Sequence, residues 1–219
     1  LPPEEWGQLG PYLPHIQAVG DGLVEQIEAE GGLEDSALVA RAMAFAENTT
    51  RYVYRRREEH REKWLEMGLA TSRHLRRQEH ESLFLNDLGL VYNALGERDR
   101  ALEFYQQALP IHRTVGNRQM KAVTLNNIGM IYKALGEKDK ALEFYQQALP
   151  LKRAVGDKQG EAYTLNNIGV LLWHQGERER GLALVEQALV LLEYVRSPNA
   201  RIAAGTIAQW RAELGQQND

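Results

Sequence analysis

ALEFYQQALP occupies residues 101–110 and recurs, letter for letter, at 141–150. Ten identical residues forty positions apart are poorly explained by chance, and the mixture of apolar, acidic and amide side chains is not low complexity. Sliding the sequence by forty aligns ESLFLNDLGLVYNALGERDRALEFYQQALPIHRTVGNRQM (81–120) with KAVTLNNIGMIYKALGEKDKALEFYQQALPLKRAVGDKQG (121–160). A third copy follows with more drift, EAYTLNNIGVLLWHQGERERGLALVEQALVLLEYVRSPNA (161–200). A period of this size signals a stacked array, in which each unit buries its apolar face against its neighbours.

Within one copy the apolar residues keep helical spacing, Leu125, Ile128, Ile131 and Tyr132 in one half and Leu142, Tyr145, Ala148 and Leu149 in the other. Each copy therefore reads as two helices. Between them lies LGEKD, where Gly136 suits the left-handed position that ends one helix and Asp139 suits the cap of the next. So short a turn makes the helices antiparallel. Gly89, Gly129 and Gly169 recur inside the first helix, where glycine costs about 0.5–1 kcal/mol relative to alanine. Their recurrence predicts close approach of the paired helix, with Ala108, Ala148 and Ala188 as the facing small residues.

These residues resemble the tetratricopeptide repeat pattern. Leu125 stands where that family has its first tryptophan, and Ile128-Gly129, Tyr132, Ala141, Tyr145 and Ala148 follow at the family's spacing. The resemblance implies an all-α fold of antiparallel helix pairs stacked in a right-handed superhelical solenoid. Two features depart from the pattern: the period is forty instead of about 34, and Pro110 and Pro150 lie late in the second helix. The extra residues are expected to lengthen that helix, which the prolines either kink or end.

The expected organisation is an N-terminal linker and capping helix region over 1–36, a degenerate helix pair over 37–80, repeats over 81–120, 121–160 and 161–196, and a C-terminal capping helix with tail over 197–219. A helix is expected over 11–30 and a turn over 31–36. At the far end Ser197 reads as an N-cap and Pro198 as the first helical residue, with the helix running to about Leu214.

The 219 residues are 43% apolar and 26% charged, with a formal net charge of −4, a soluble composition with no global attraction to nucleic acid or anionic membrane. There is no apolar run long enough to span a bilayer and no secretory leader, so no membrane partner is expected. The lack of cysteine excludes disulfides and thiolate metal sites and fits a cytoplasmic location. The opening LPPEEWGQLG, without methionine, suggests a piece of a longer protein or a processed product. No nucleotide-binding glycine loop, HExxH or paired-cysteine motif is present. The six histidines (15, 60, 74, 80, 112 and 174) are scattered, and pairs such as Glu58 and Glu62 beside Arg61 and Lys63 read as a solvated helix face. The expectation is a non-enzymatic protein with no cofactor and no metal.

By resemblance to the family, first helices line a concave groove. Its expected residues are Asn86, Asp87, Leu90 and Asn93 in the first copy, Val123, Asn126, Asn127, Met130 and Lys133 in the second, and Tyr163, Asn166, Asn167, Val170 and Trp173 in the third. A line of primary amides suits an extended peptide, because each amide both donates to and accepts from a backbone. Repeated asparagine also serves to bond a neighbouring helix, and both roles stay open. A second candidate is basic: Arg51, Arg55, Arg56, Arg57, Arg61, Lys63, Arg73, Arg76 and Arg77 against Glu58, Glu59, Glu62 and Glu66, with Tyr52, Tyr54 and Trp64 interleaved. Such a stretch docks another domain of the same chain or contacts phosphates; the acidic remainder favours docking.

The repeat style also resembles the C-terminal sensor arrays of bacterial signalling ATPases of the NB-ARC or NACHT type. That resemblance implies a sensor whose ligand releases an inhibited nucleotide-binding domain, in a defence-related setting. Two other classes stay open, a nucleic-acid-associated regulator acting through 51–77 and a self-assembling scaffold.

Overall fold

The computed structural model describes residues 61–74 and 76–216. Among these lie eight helices and no strand: α1 (Arg61–His74), α2 (Gln78–Ala94), α3 (Arg98–Thr114), α4 (Arg118–Ala134), α5 (Lys138–Ala154), α6 (Lys158–His174), α7 (Arg178–Tyr194) and α8 (Ala200–Gly215). The expected elements at 11–30, 31–36 and 37–56 lie outside the described residues. Helices α2 to α7 are 17 residues long. Two such helices and two three-residue connections make the forty-residue period. The chain divides into two units, Leu1–Ile111 and His112–Asp219.

The connections explain why every helix stops on schedule. Gly96, Gly116, Gly136, Gly156 and Gly176 all take φ between 72° and 93°. Around Gly136 the Glu137 N–H reaches the Tyr132 carbonyl at 2.9 Å and the Gly136 N–H the Lys133 carbonyl at 3.1 Å, the paired bonds of a Schellman stop. The same slot twenty residues beyond each end of this series holds Arg76 and Arg196, both at φ 53°, a conformation that costs a side-chain-bearing residue energy.

Two expectations about helix ends are corrected, and the two readings of the prolines are decided. Asp139 is not a cap: α5 begins at Lys138 behind Glu137, whose side chain makes no capping bond, and Asp139 Oδ1 accepts from Gln175 Nε2 at 2.8 Å. True caps stand before first helices, where Asn117 accepts from the Met120 N–H at 3.0 Å and Asp157 from the Gly160 N–H at 2.8 Å. Ser197 does not cap α8, which starts at Ala200 behind Asn199; the buried serine hydroxyl accepts from the Asn199 N–H at 3.3 Å. Pro110 and Pro150 do not end their helices, which run on to Thr114 and Ala154. Each proline frees the carbonyl four residues earlier, on Gln106 or Gln146, and both are exposed to water.

In the first unit, helix-pair packing centres on glycine against aromatic. A Cβ placed on Gly89 would lie 2.5 Å from the Tyr105 ring, and one on Gly68 2.6 Å from Phe84. Tyr92 stacks on Phe104 with centroids 5.3 Å apart, and the Arg100 guanidinium lies 3.8 Å from the Tyr92 centroid. The residue facing the first-helix glycine is thus tyrosine, not the expected Ala108, which is buried elsewhere on α3.

The second unit repeats the device. Gly129 faces Tyr145 at 2.8 Å from a placed Cβ, and Tyr132 stacks on Phe144 at 5.4 Å with Lys140 above it. Paired contacts run in opposite directions along α4 and α5, so the helices are antiparallel. Between repeats, Ala141 and Tyr145 of α5 meet Ile168, Leu171 and Leu172 of α6. In the third repeat valine replaces tyrosine and the backbones approach further: the Gly181 carbonyl lies 2.7 Å from a Cβ placed on Gly169. Trp173, Val185, Leu192, Ala203, Ile207 and Trp210 then fuse α6, α7 and α8 into one core, with the two indoles stacked at 4.2 Å.

His112 is buried where the next copies hold Lys152 and Leu192. Neither ring nitrogen has a hydrogen-bond partner among the described residues, and desolvation lowers its pKa.

Two stability predictions follow from these contacts. Gly129→Leu should destabilise by at least about 2 kcal/mol through overpacking against Tyr145. Gly205→Ala, where a Cβ meets nothing within 4 Å, should gain about 0.5–1 kcal/mol from helix propensity; thermal melts of the two variants check the contrast. Because burial keeps His112 neutral in the fold, its contribution is complete above the ordinary histidine pKa of about 6.5 and is lost as pH falls below it. His112→Leu should therefore raise the melting temperature more at pH 5.5 than at pH 8, and equal gains at both would contradict the assignment.

Candidate binding face

Of the expected groove residues in the first unit, Asp87, Leu90 and Asn93 are half-buried on α2, and Asn86 is buried at 2% exposure. Asn86 is thus an interior residue. Trp173 is the other group displaced from the expected groove: it is 6% exposed, and stacking on Trp210 places it in the core. The sequence pattern left this hidden because the partner tryptophan lies in the capping helix, outside the repeat.

The second unit brings the remaining candidates together on neighbouring first helices, α4 and α6. Thr164 Oγ1 donates to Asn126 Oδ1 at 3.2 Å, and Lys133 Nζ donates to Asn167 Oδ1 at 3.3 Å. These bonds tie the helices side by side and in parallel, leaving a polar seam. Asn126 Nδ2 also lies 3.6 Å from the Met130 sulfur, and Met130 is 46% exposed. Asn127 differs: its Nδ2 is buried and has no acceptor among the described residues. Asn166, Val123 and Val170 are half-buried beside this seam.

Tyr163 is less open than expected. Its hydroxyl accepts from Gln159 Nε2 at 2.8 Å and Asn199 Nδ2 at 3.2 Å, and lies 3.5 Å from Ser197 Oγ. The Ser197, Gln159 and Asn199 bonds lower its pKa against a smaller effect of burial. Tyr163 is a clip between α6 and the α7–α8 corner, a role only the tertiary contact reveals.

Lys133 is exposed as a residue, yet crowding strips enough water from its ammonium to lower its pKa by desolvation. Glu161, at the start of α6, is pulled the other way: burial alone would raise it, but hydrogen bonds from Arg153 at 2.8 Å and Lys158 at 3.2 Å bring it down. Asp157 behaves alike, its burial outweighed by Lys152 at 2.7 Å and the Gly160 N–H.

In the expected basic region, Arg51, Arg55, Arg56 and Arg57 lie outside the described residues, as do the side chains of Arg61 and Lys63. Arg73 is engaged by Glu81 at 2.9 Å and Gln107 at 2.9 Å, while Arg76 and Arg77 are exposed. Among the described residues no cluster of histidine and carboxylate could hold a metal ion, and no helix is long and apolar enough to cross a membrane. A depression of about 450 Å³ lies in the connections, lined by Gly136 to Lys140 and Gln175, away from the seam.

Tandem antiparallel helix pairs with glycine at each crossing and a polar seam on first helices define a helix-hairpin repeat protein. Tetratricopeptide repeat models match residues 80–154 and 162–193. The chain belongs to the tetratricopeptide repeat family. No curated protein matches the sequence. Among solved structures it is similar to BtubC (BKLC) from P. vanneervenii, with TM-score 0.62 and 20% identity over 93% of this chain and 92% of that one. It is also similar to the signal transduction ATPase with numerous domains and a tetratricopeptide repeat sensor from Pyrococcus horikoshii, with TM-score 0.71 and 15% identity over 97% of this chain and 36% of that one. A Rap protein complexed with competence and sporulation factor gives TM-score 0.58 and 16% identity over 90% of this chain and 55% of that one. The chain therefore spans about half of the Rap protein and about a third of the ATPase. At these identities the likeness is one of fold.

Tyr163→Phe should cost about 1 kcal/mol by leaving the Gln159 and Asn199 donors without their acceptor. A melt unchanged from wild type would show that the clip contributes nothing.

Proposed function

We propose that this chain is a non-catalytic module that binds a protein or peptide in extended form along its first helices. The observation that carries this reading is the α4–α6 seam, where the Asn126–Thr164 and Lys133–Asn167 bonds flank the exposed Met130. Polar side chains beside an exposed apolar one suit a peptide's backbone and side chains together. The amides serve two ends: Asn126 and Asn167 hold the helices in register, and Asn127 and Asn166 face the ligand.

The same module is proposed as the ligand-sensing, autoinhibitory array of a larger cytoplasmic signalling ATPase of bacterial type. Support comes from the repeat style and from the likeness to an ATPase whose array is described as a sensor. Peptide binding is supported by the likeness to a Rap protein bound to a signalling factor. Residues 51–77 then dock against another domain of that longer chain.

Selection of random dodecapeptides against the wild type and an Asn127→Ala/Asn166→Ala variant of unchanged circular dichroism tests the groove. Peptides recovered by the wild type should bind the variant about thirtyfold more weakly, the loss expected from two hydrogen bonds of about 1 kcal/mol each. Recovered peptides that bind both proteins equally would contradict the assignment.

A further inference from the structure

Helix α7 departs from the other second helices on its solvent face. Ala183, Gln187, Val190 and Tyr194 form one exposed row there, spaced four, three and four residues apart, the spacing along which a second helix packs. The same positions read Glu143, Gln147, Pro150 and Ala154 on α5, and Glu103, Gln107, Pro110 and Thr114 on α3. The third copy alone places large apolar side chains in this row without a proline, Val190 at 65% and Tyr194 at 78% exposure. Tyr194 is the most exposed large apolar side chain among the described residues.

The flank of that row is acidic. Glu179, Glu186 and Glu193 recur every seven residues beside it, where α5 has Asp139, Gln146 and Arg153 and α3 has Asp99, Gln106 and Arg113. Glu186 is engaged by Arg211 of α8 at 2.7 Å, whereas Glu179 and Glu193 are exposed and have no ion-pair partner among the described residues. On the opposite flank Arg180 is already paired with Glu177. An apolar row beside a column of carboxylates is one half of a helix–helix interface: the row supplies burial, and the column selects the charge of the partner.

We propose that this face of α7 docks an amphipathic helix of a partner protein whose flanking residues are lysine or arginine. The surface is separate from the α4–α6 seam and does not rest on peptide binding there. Val190 and Tyr194 pack among the apolar residues of the docked helix, and Glu179 and Glu193 meet its cations. A second copy of this chain fits poorly, because antiparallel two-fold pairing sets Glu179 of one α7 level with Glu193 of the other on the same flank, like charge against like.

The test uses two helical peptides, both with leucine at a and d of each heptad, one with lysine at every e and g position and the other with glutamate there. Each is titrated into the 219-residue chain and followed by fluorescence anisotropy. The lysine peptide should bind the wild type at least about tenfold more tightly than the glutamate peptide. Tyr194→Ala should weaken it about tenfold, and Glu179→Lys/Glu193→Lys should reverse the preference. Circular dichroism should be unchanged in both variants, since all three side chains are exposed. Asn127→Ala/Asn166→Ala should bind the lysine peptide as the wild type does. No binding of the lysine peptide, equal binding by Tyr194→Ala, or a preference unmoved by the charge reversal would overturn the proposal and leave the seam reading untouched. Loss of binding in Asn127→Ala/Asn166→Ala would place the helix on the seam and overturn the docking face. Concentration-dependent dimers dissolved by Tyr194→Ala would give the face to a second copy of the chain and overturn the proposal as well.

Discussion

The approach of two helices at a glycine is the constraint on which the rest depends. Gly89 and Gly129 give their side-chain volume to the rings of Tyr105 and Tyr145, both fully buried. The exchange is unfavourable for an isolated helix and favourable for a pair, because a ring that fills the crossing makes many dispersion contacts and excludes water. Once the crossing is fixed, the aromatic residue one turn later stacks on the partner helix, and a cation from its first turn covers the ring. In the third repeat the same closeness is reached differently, with Gly181 opposite Gly169. Helix pairs set in this way present their first helices side by side, and the seam is a consequence.

Much of this fold is legible in the letters. A ten-residue duplication fixes the period, and the spacing of Leu125, Ile128, Ile131 and Tyr132 fixes helix type and buried face. Gly136 marks the stop, because only a positive φ closes the Schellman bonds. What the letters hide is the difference between residues of like chemistry. Asp139 and Asp157 both follow a glycine near a helix start, yet Asp157 lies one residue before its helix and caps it, whereas Asp139 lies one residue inside. A shift of two residues decides whether a carboxylate reaches the free amides.

The candidate site was legible only as a set. Asn126 and Asn127 are adjacent and identical, but about 100° of helical rotation separates them. One faces Thr164 and is used within the scaffold, while the other keeps a donor without an acceptor. Asn86 and Trp173 share the periodic position of groove residues and are nevertheless buried. Lys133, a groove candidate from its place in the repeat, bonds the neutral Asn167 amide oxygen on the next first helix and is partly dehydrated there, which the letters do not show.

The central claim is that ligand engages the first-helix seam of the second unit and not the outer helices. Side-chain amide and methyl NMR spectra of the labelled protein, titrated with a peptide recovered by selection, test it most directly. The account predicts that shifts concentrate on the amides of Asn127, Asn166 and Asn167 and the methyl of Met130, with the amides of Gln106, Gln107, Gln146 and Gln147 unmoved. Shifts confined to those glutamines would place the ligand on the second helices and contradict it.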